Sequence, residues 1–274
     1  MPPRDLLSIP GFADPVSSLT HLLGALAALV MIVPTVLRAR RLGRGPGAVA
    51  SIIIFGLSAV FLLSMSGVYH LLTPAVGMGS RVGISGGGVG GGSARDVLQR
   101  LDHAAIFVLI AGTFTPIHTL LFRGVLRWGM LVFIWILAVL GVTLKSIFFT
   151  GTPPVLGLGL YVVMGWFGIV AMVAVARRTG FRSTRTLVAG GVVYTIGALI
   201  EGLSPPPLVA GVVRAHEIFH LAVLGGLALH WRFVWNAIAM RPPPHPLPLP
   251  DPDSHQDHDP RPALTPSGTG TRTA

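Results

Sequence analysis

The sequence predicts an all-α membrane protein, a seven-transmembrane-helix bundle, on three observations. Of its 274 residues, 51% are hydrophobic and only 11% are charged. The mean hydropathy of +0.72 is more than a soluble domain carries comfortably. Seven apolar stretches each approach the roughly 20 residues that a spanning helix needs.

In chain order the spans are expected near 16–37, 49–74, 101–121, 127–149, 155–176, 187–203 and 216–238. The first is rich in small residues (Gly24, Ala25, Ala27, Ala28), as close helix packing in lipid favours. Arg38, Arg40, Arg41 and Arg44 separate it from the second. The third opens on Leu101-Asp102-His103 and reaches the fourth through Arg123 and Arg127. The fourth has Lys145 near its end, and the fifth runs into Arg177 and Arg178. The sixth is the shortest, again with small residues (Gly190, Gly191, Gly197), and the seventh opens on His216. Nearly every span is apolar all round, so amphipathic periodicity helps little. Flanking these is a short N-terminal segment, 1–15, with no apolar h-region, so no cleavable signal peptide is expected. A Gly- and Ser-dominated stretch, 75–98, reads as a flexible loop within a transmembrane domain of 16–240. Residues 241–274 form a Pro-rich tail that cannot bury a core. Its His245, His255 and His258 read as solvated.

Cysteine is absent, which excludes disulfides and thiolate chemistry and leaves His, Asp, Glu or water to hold any metal. The formal charge of +10 is not a nucleic-acid signal, because the basic residues are nearly all arginines between apolar runs. They act as topology determinants and headgroup contacts. Fourteen of the 20 Lys and Arg residues fall on one side, which is expected to face the cytoplasm of a plasma-membrane protein. That orientation puts the N-terminus outside and the C-terminus inside.

With seven alternating helices, the end of the second, the start of the third, the end of the sixth and the start of the seventh share one membrane face. Those ends carry Ser66 and His70, Asp102 and His103, Glu201, and His216 with His220. Residues four apart on a helix lie on one face, so His216 and His220 can bind one divalent ion. His70 completes a three-imidazole set for zinc and leaves the fourth tetrahedral position for water, the open arrangement of catalytic sites. Asp102 is the candidate to accept that water's proton, and Ser66 to hydrogen-bond the water or a developing oxyanion. Bland readings stand beside these. The histidines can be satisfied by carbonyls, Asp102 can pair with Arg100, and Ser66 can bond back to the carbonyl four residues earlier. His216-Glu217-x-x-His220 also spells HExxH, in which Glu217 would be the general base of an intramembrane metalloprotease. Equally, Glu217 suits the positive end of its helix as a first-turn carboxylate. His21, His103, His118 and His230 receive no role beyond packing.

Taken together, Leu19-Thr20-His21 with Gly24, Ser66-Gly67-Val68-Tyr69-His70 and RLDHAAIFVLIAGTFTP (100–116) make a specific pattern. Lys145, Tyr161 with Met164-Gly165-Trp166, Gly190-Gly191 with Tyr194-Thr195, and HEIFHLAVLGGLALH (216–230) complete it. The chain resembles the hemolysin III branch of the progestin and adipoQ receptor family over nearly all of 16–238, and is more distantly similar to the alkaline ceramidases. The resemblance implies zinc held by His70, His216 and His220, with the residue matching Asp102 reaching zinc through water and Ser66 alongside. Related members hydrolyse ceramide amides, and the hemolysin name implies lysis. Two departures stand out. The loop at 75–98 is longer than the family's usual connection. The adiponectin receptors hold their metal end on the cytoplasmic side, whereas the arginine distribution here puts it outside.

Three functions follow as expectations. The first is a zinc-dependent hydrolase of lipid amides whose substrate arrives laterally from the bilayer. The second is a non-enzymatic zinc-stapled receptor or lysis-related protein. The third is the HExxH protease.

Overall fold

The computed structural model describes residues 14–72, 94–149, 151, 153–208 and 213–240, all within one compact unit, Met1–Pro243. Among them, helices dominate: α1 (Pro15–Arg41), α2 (Pro46–Leu71), α3 (Ala94–Leu121), α4 (Gly124–Ile147), α5 (Pro154–Trp166), α6 (Gly168–Thr179), α7 (Arg185–Leu203) and α8 (Ala215–Ala237). A short 3-10 turn, Phe181–Thr184, leads into α7. Seven of these stretches are long and apolar enough to cross a membrane, with Val155–Thr179 counting as one.

Two details depart from expectation. The fifth span is broken at Phe167, which keeps right-handed helical angles between two poor helix formers, Gly165 and Gly168. The third helix begins at Ala94, seven residues early, so residues 94–98 of the expected loop are helical. That extra turn, Ala94-Arg95-Asp96-Val97, is polar and invisible to hydropathy, with Asp96 on the favourable end of the helix dipole. The remainder of the loop and the tail from residue 241 lie outside the described residues.

The bundle turns inside out the pattern of a soluble protein. α1 buries Ser17, Ser18, His21, Ala25, Ala28 and Thr35 and exposes Leu23, Leu26, Val30 and Val33. Lipid is as apolar as leucine, so helix association relies on close packing and polar contacts. The chain shows both. A Cβ on Gly112 would lie 2.4 Å from Ser58 Oγ, so α3 and α2 touch backbone to side chain. A Cβ on Gly197 would meet the Ala222 methyl at 2.4 Å, which sets the approach of α7 to α8. Neighbours pack in order, α1 on α2, α2 on α3, α3 on α4 and α7 on α8, and α1 closes against α8. α3 is central: 78% of its apolar window is buried, against 22% for α1. At one end Arg44 Nε donates to the Ile238 carbonyl at 2.7 Å, its guanidinium also reaches the Met240 carbonyl, and Arg38 Nε donates to the Trp235 carbonyl at 3.2 Å. These bonds satisfy the carbonyls that the end of α8 would leave bare. The opposite end holds the histidines.

Candidate metal centre

His70 closes α2, and His216 and His220 occupy the first two turns of α8. One ring nitrogen or another from each lies within 4.8 Å of those of the other two. His70 and His220 are buried, and His216 is partly open. His70 Nε2 and His216 Nε2 face each other at 3.1 Å, and the His220 ring lies 4.8 and 4.4 Å from theirs by centroid. His220 Nδ1 is buried with no hydrogen-bond partner among the described residues. Converging ring nitrogens fit a divalent cation, and this group can hold a metal ion.

Carboxylates surround the cluster. Asp14 Oδ2 lies 3.0 Å from His70 Nδ1, Glu201 Oε1 lies 3.1 Å from His216 Nδ1, and Asp102 Oδ2 lies 4.0 Å from His70 Nε2. Ser66, fully buried, lies beside the Asp102 side chain. The helix spacing explains both contacts: Ser66 stands one turn before His70 on the same face, and α3 is packed along α2. Arg100 does not pair with Asp102. Its guanidinium donates to the Ser146 carbonyl at 3.1 Å and lies over the Phe149 ring.

Asp14 stands just ahead of Pro15, the first residue of α1, and is held from three sides. Its backbone N–H donates to the His70 carbonyl at 3.1 Å, and Arg214 Nη2 donates to its Oδ1 at 3.0 Å. Burial pushes the Asp14 carboxyl up, but the hydrogen bond from His70, with the Arg214 guanidinium beside it, outweighs it. The group is held below its ordinary value of 3.8.

Glu217 belongs to a different set of contacts. Its Oε2 accepts the Arg214 backbone N–H at 2.8 Å, and its Oε1 accepts from Arg214 Nη2 and Ser17 Oγ, both at 3.4 Å. The carboxylate of the HExxH pattern therefore serves the opening turn of α8 and the start of α1.

Among the described residues, the remaining histidines divide in two. His103, His118 and His230 direct a ring nitrogen to the carbonyls of Gln99, Leu126 and Leu187 at 2.8, 2.8 and 3.1 Å, and pack there. His21 instead joins the cluster, stacked on His220 with centroids 4.0 Å apart and planes 12° from parallel. Sequence reasoning gave no role to Asp14, His21 or Arg214.

Beside the cluster an apolar cavity of about 380 Å³ runs between α3, α5, α6, α7 and α8. Tyr161 and Phe219 line it near the histidines, and His230 near the far end. Tyr161 Oη donates to the His103 carbonyl at 2.9 Å, beside Asp102. From Phe219 to His230 the helix climbs roughly 16 Å at 1.5 Å per residue.

Comparison with known proteins agrees with this architecture. The family described as Haemolysin-III related matches residues 12–81 and 89–231, spanning all the cluster residues. Hemolysin-3 of Bacillus cereus is 30% identical over 214 residues, 78% of this chain and 86% of that protein. The Hemolysin-3 homolog of Bacillus subtilis (strain 168) is 30% identical over 212 residues, 77% and 88% of the two chains. The human monocyte to macrophage differentiation factor is 26% identical over 144 residues, 52% and 56%. With seven apolar spans and a match that covers nearly all of them, the chain belongs to the haemolysin III family of multi-pass membrane proteins.

Proposed function

We propose that this protein is a zinc-dependent hydrolase of lipid amides in the plasma membrane, with its histidine end and N-terminus outside and its C-terminus in the cytoplasm. The observation that carries the reading is the convergence of His70, His216 and His220 beside a buried Asp102–Ser66 pair. Bound zinc supplies a Lewis acid and lowers the pKa of a coordinated water to about 7. Asp102, 4.0 Å from His70 Nε2, is placed to take up a proton beside the ligand set and to return it to a leaving amine. Ser66, buried beside that carboxylate, adds a hydroxyl that can donate to developing negative charge. The apolar cavity supports a lipid substrate, since an acyl chain lying between α3 and α8 would be shielded from water with its polar end towards Tyr161 and Asp102. The choice of an amide bond follows the resemblance to the ceramidases. The orientation rests on the arginines, which crowd the end away from the histidines.

The test is metal content by mass spectrometry on detergent-purified protein never exposed to chelator. The comparison is a His70→Ala/His216→Ala/His220→Ala variant, with turnover measured on a panel of N-acyl sphingoid and N-acyl amine lipids. We expect about one zinc per chain, lost in the variant, and an Asp102→Asn protein that keeps zinc while losing about 10²- to 10⁴-fold in rate. No metal above the variant's background sinks the reading. Zinc without turnover on any lipid of the panel leaves the stapled, non-enzymatic alternative.

A further inference from the structure

The two imidazoles that face each other are each backed by a carboxylate. An ionised carboxylate only accepts hydrogen bonds, so the contacts of Asp14 with His70 Nδ1 at 3.0 Å and of Glu201 with His216 Nδ1 at 3.1 Å require a proton on each Nδ1. In a neutral imidazole the other nitrogen is then a bare lone pair. The two bare nitrogens are the Nε2 atoms that meet at 3.1 Å. Two lone pairs at that distance repel unless something positive lies between them.

From this we infer that Asp14 and Glu201 are positioning residues for the metal site. They lock His70 and His216 as Nδ1–H tautomers and so present both Nε2 atoms to one ion. The inference rests on the zinc reading of the site. The carboxylates arrive from unrelated elements, Asp14 from the residue preceding α1 and Glu201 from the last turn of α7. Asp14 is itself fixed, by its backbone bond to the His70 carbonyl and by Arg214 on its second oxygen. His220 has no such partner: its Nδ1 is orphaned and its ring face is covered by His21. The site is therefore asymmetric, with two carboxylate-backed donors and one whose ring is stacked on an aromatic face. Outer partners of this kind orient a ligand and raise its basicity, and losing one typically lowers metal affinity about 10- to 100-fold.

The test has two readouts. The first is long-range proton–nitrogen correlation on histidine-¹⁵N-labelled, metal-stripped full-length protein in detergent, which reports each tautomer without any metal present. We expect Nδ1–H at both His70 and His216. Asp14→Ala should release His70 alone, and Glu201→Ala should release His216 alone. The second is zinc affinity by chelator competition. It should fall about 10- to 100-fold in each variant with the stoichiometry kept, and recover in part in Asp14→Glu and Glu201→Asp. Arg214→Ala separates positioning from mere structure, because it breaks the Asp14 ion pair while leaving both carboxylate–histidine contacts. A structural role predicts that Arg214→Ala weakens zinc as much as Asp14→Ala does. Nε2–H tautomers in the wild type, or unchanged affinity in both alanine variants, overturn the inference. A wild type that takes up no zinc sinks the hydrolase reading instead, and the tautomers of the metal-free protein still decide this one.

Discussion

Glu217→Gln separates the two functions that one short pattern suggests. As a metalloprotease base, Glu217 would be needed for turnover; in this structure its oxygens are occupied elsewhere. Oε2 takes the Arg214 N–H at 2.8 Å, and Oε1 takes Arg214 Nη2 and Ser17 Oγ at 3.4 Å. A glutamine keeps one acceptor for the short backbone bond but loses the charge and turns an amide N–H₂ towards Arg214. The backbone cap thus survives, and what goes is a long charge-assisted contact to a side chain that is 41% exposed. That is worth about 1–2 kcal/mol once solvent screening is allowed for. At about 2–4 °C per kcal/mol for a chain of this size, thermal unfolding in detergent should fall by roughly 2–8 °C. Zinc stoichiometry and turnover should stay at wild-type values. Loss of turnover by about 10²-fold or more with an unchanged unfolding temperature would refute the assignment and restore the protease reading.

Other expectations follow from single contacts. Because the Asp14 carboxyl is held below 3.8, its contribution is fully present above that value and is lost as pH falls through the lowered one. The gap in unfolding temperature between wild type and Asp14→Asn should be open at neutral pH and close in acid below about pH 3.8; a gap that persists there contradicts the assignment. Since the chain has no cysteine, single Leu208→Cys and Ala239→Cys proteins report orientation cleanly. An impermeant maleimide on intact cells should label the exposed Leu208→Cys and spare Ala239→Cys, and the reverse pattern inverts the proposed topology. Arg44→Ala removes the donors that serve the Ile238 and Met240 carbonyls and should cost about 1–3 kcal/mol, read by the same melts, with zinc binding at the far end untouched.

The proposed ligands were legible because two simple rules act together. Residues four apart share a helix face, and the alternation of spans brings particular ends to one membrane surface. Those rules alone place Ser66, His70, Asp102, His216 and His220 together. The same alternation puts the start of α1 at that surface, so Asp14 and His21 were within its reach. They were passed over because Asp-Pro reads as an ordinary helix opening, and a lone histidine in an apolar span carries no partner in its local sequence. The break at Phe167 and the early start at Ala94 share another cause. Hydropathy measures affinity for lipid, and neither a change of backbone within an apolar run nor a polar helical turn above the membrane alters it. Glu217 shows the converse, a motif satisfied in letters whose carboxylate has been taken up by its own helix cap.

Metal removal tests the whole site, because the cluster has few ways to be stable when empty. His21, His70 and His220 are at most 3% exposed, and His21 has no hydrogen-bond partner on either nitrogen among the described residues. A buried polar atom left unpaired costs about 1–3 kcal/mol. Two Nε2 atoms 3.1 Å apart add repulsion unless a cation or a shared proton lies between them. The two fillings respond to different agents. A bound ion stabilises the folded state by its binding free energy, so stripping it with chelator should lower the unfolding temperature, and stoichiometric zinc should restore it. At a free concentration of 1,000 times its dissociation constant the ion contributes about 4 kcal/mol, or roughly 8–16 °C. A shared proton is indifferent to chelator and would instead make stability fall as pH rises. An unfolding temperature that ignores chelator and zinc but drops between neutral and alkaline pH would assign the three histidines to a proton-bridged polar core and remove the metal from the reading.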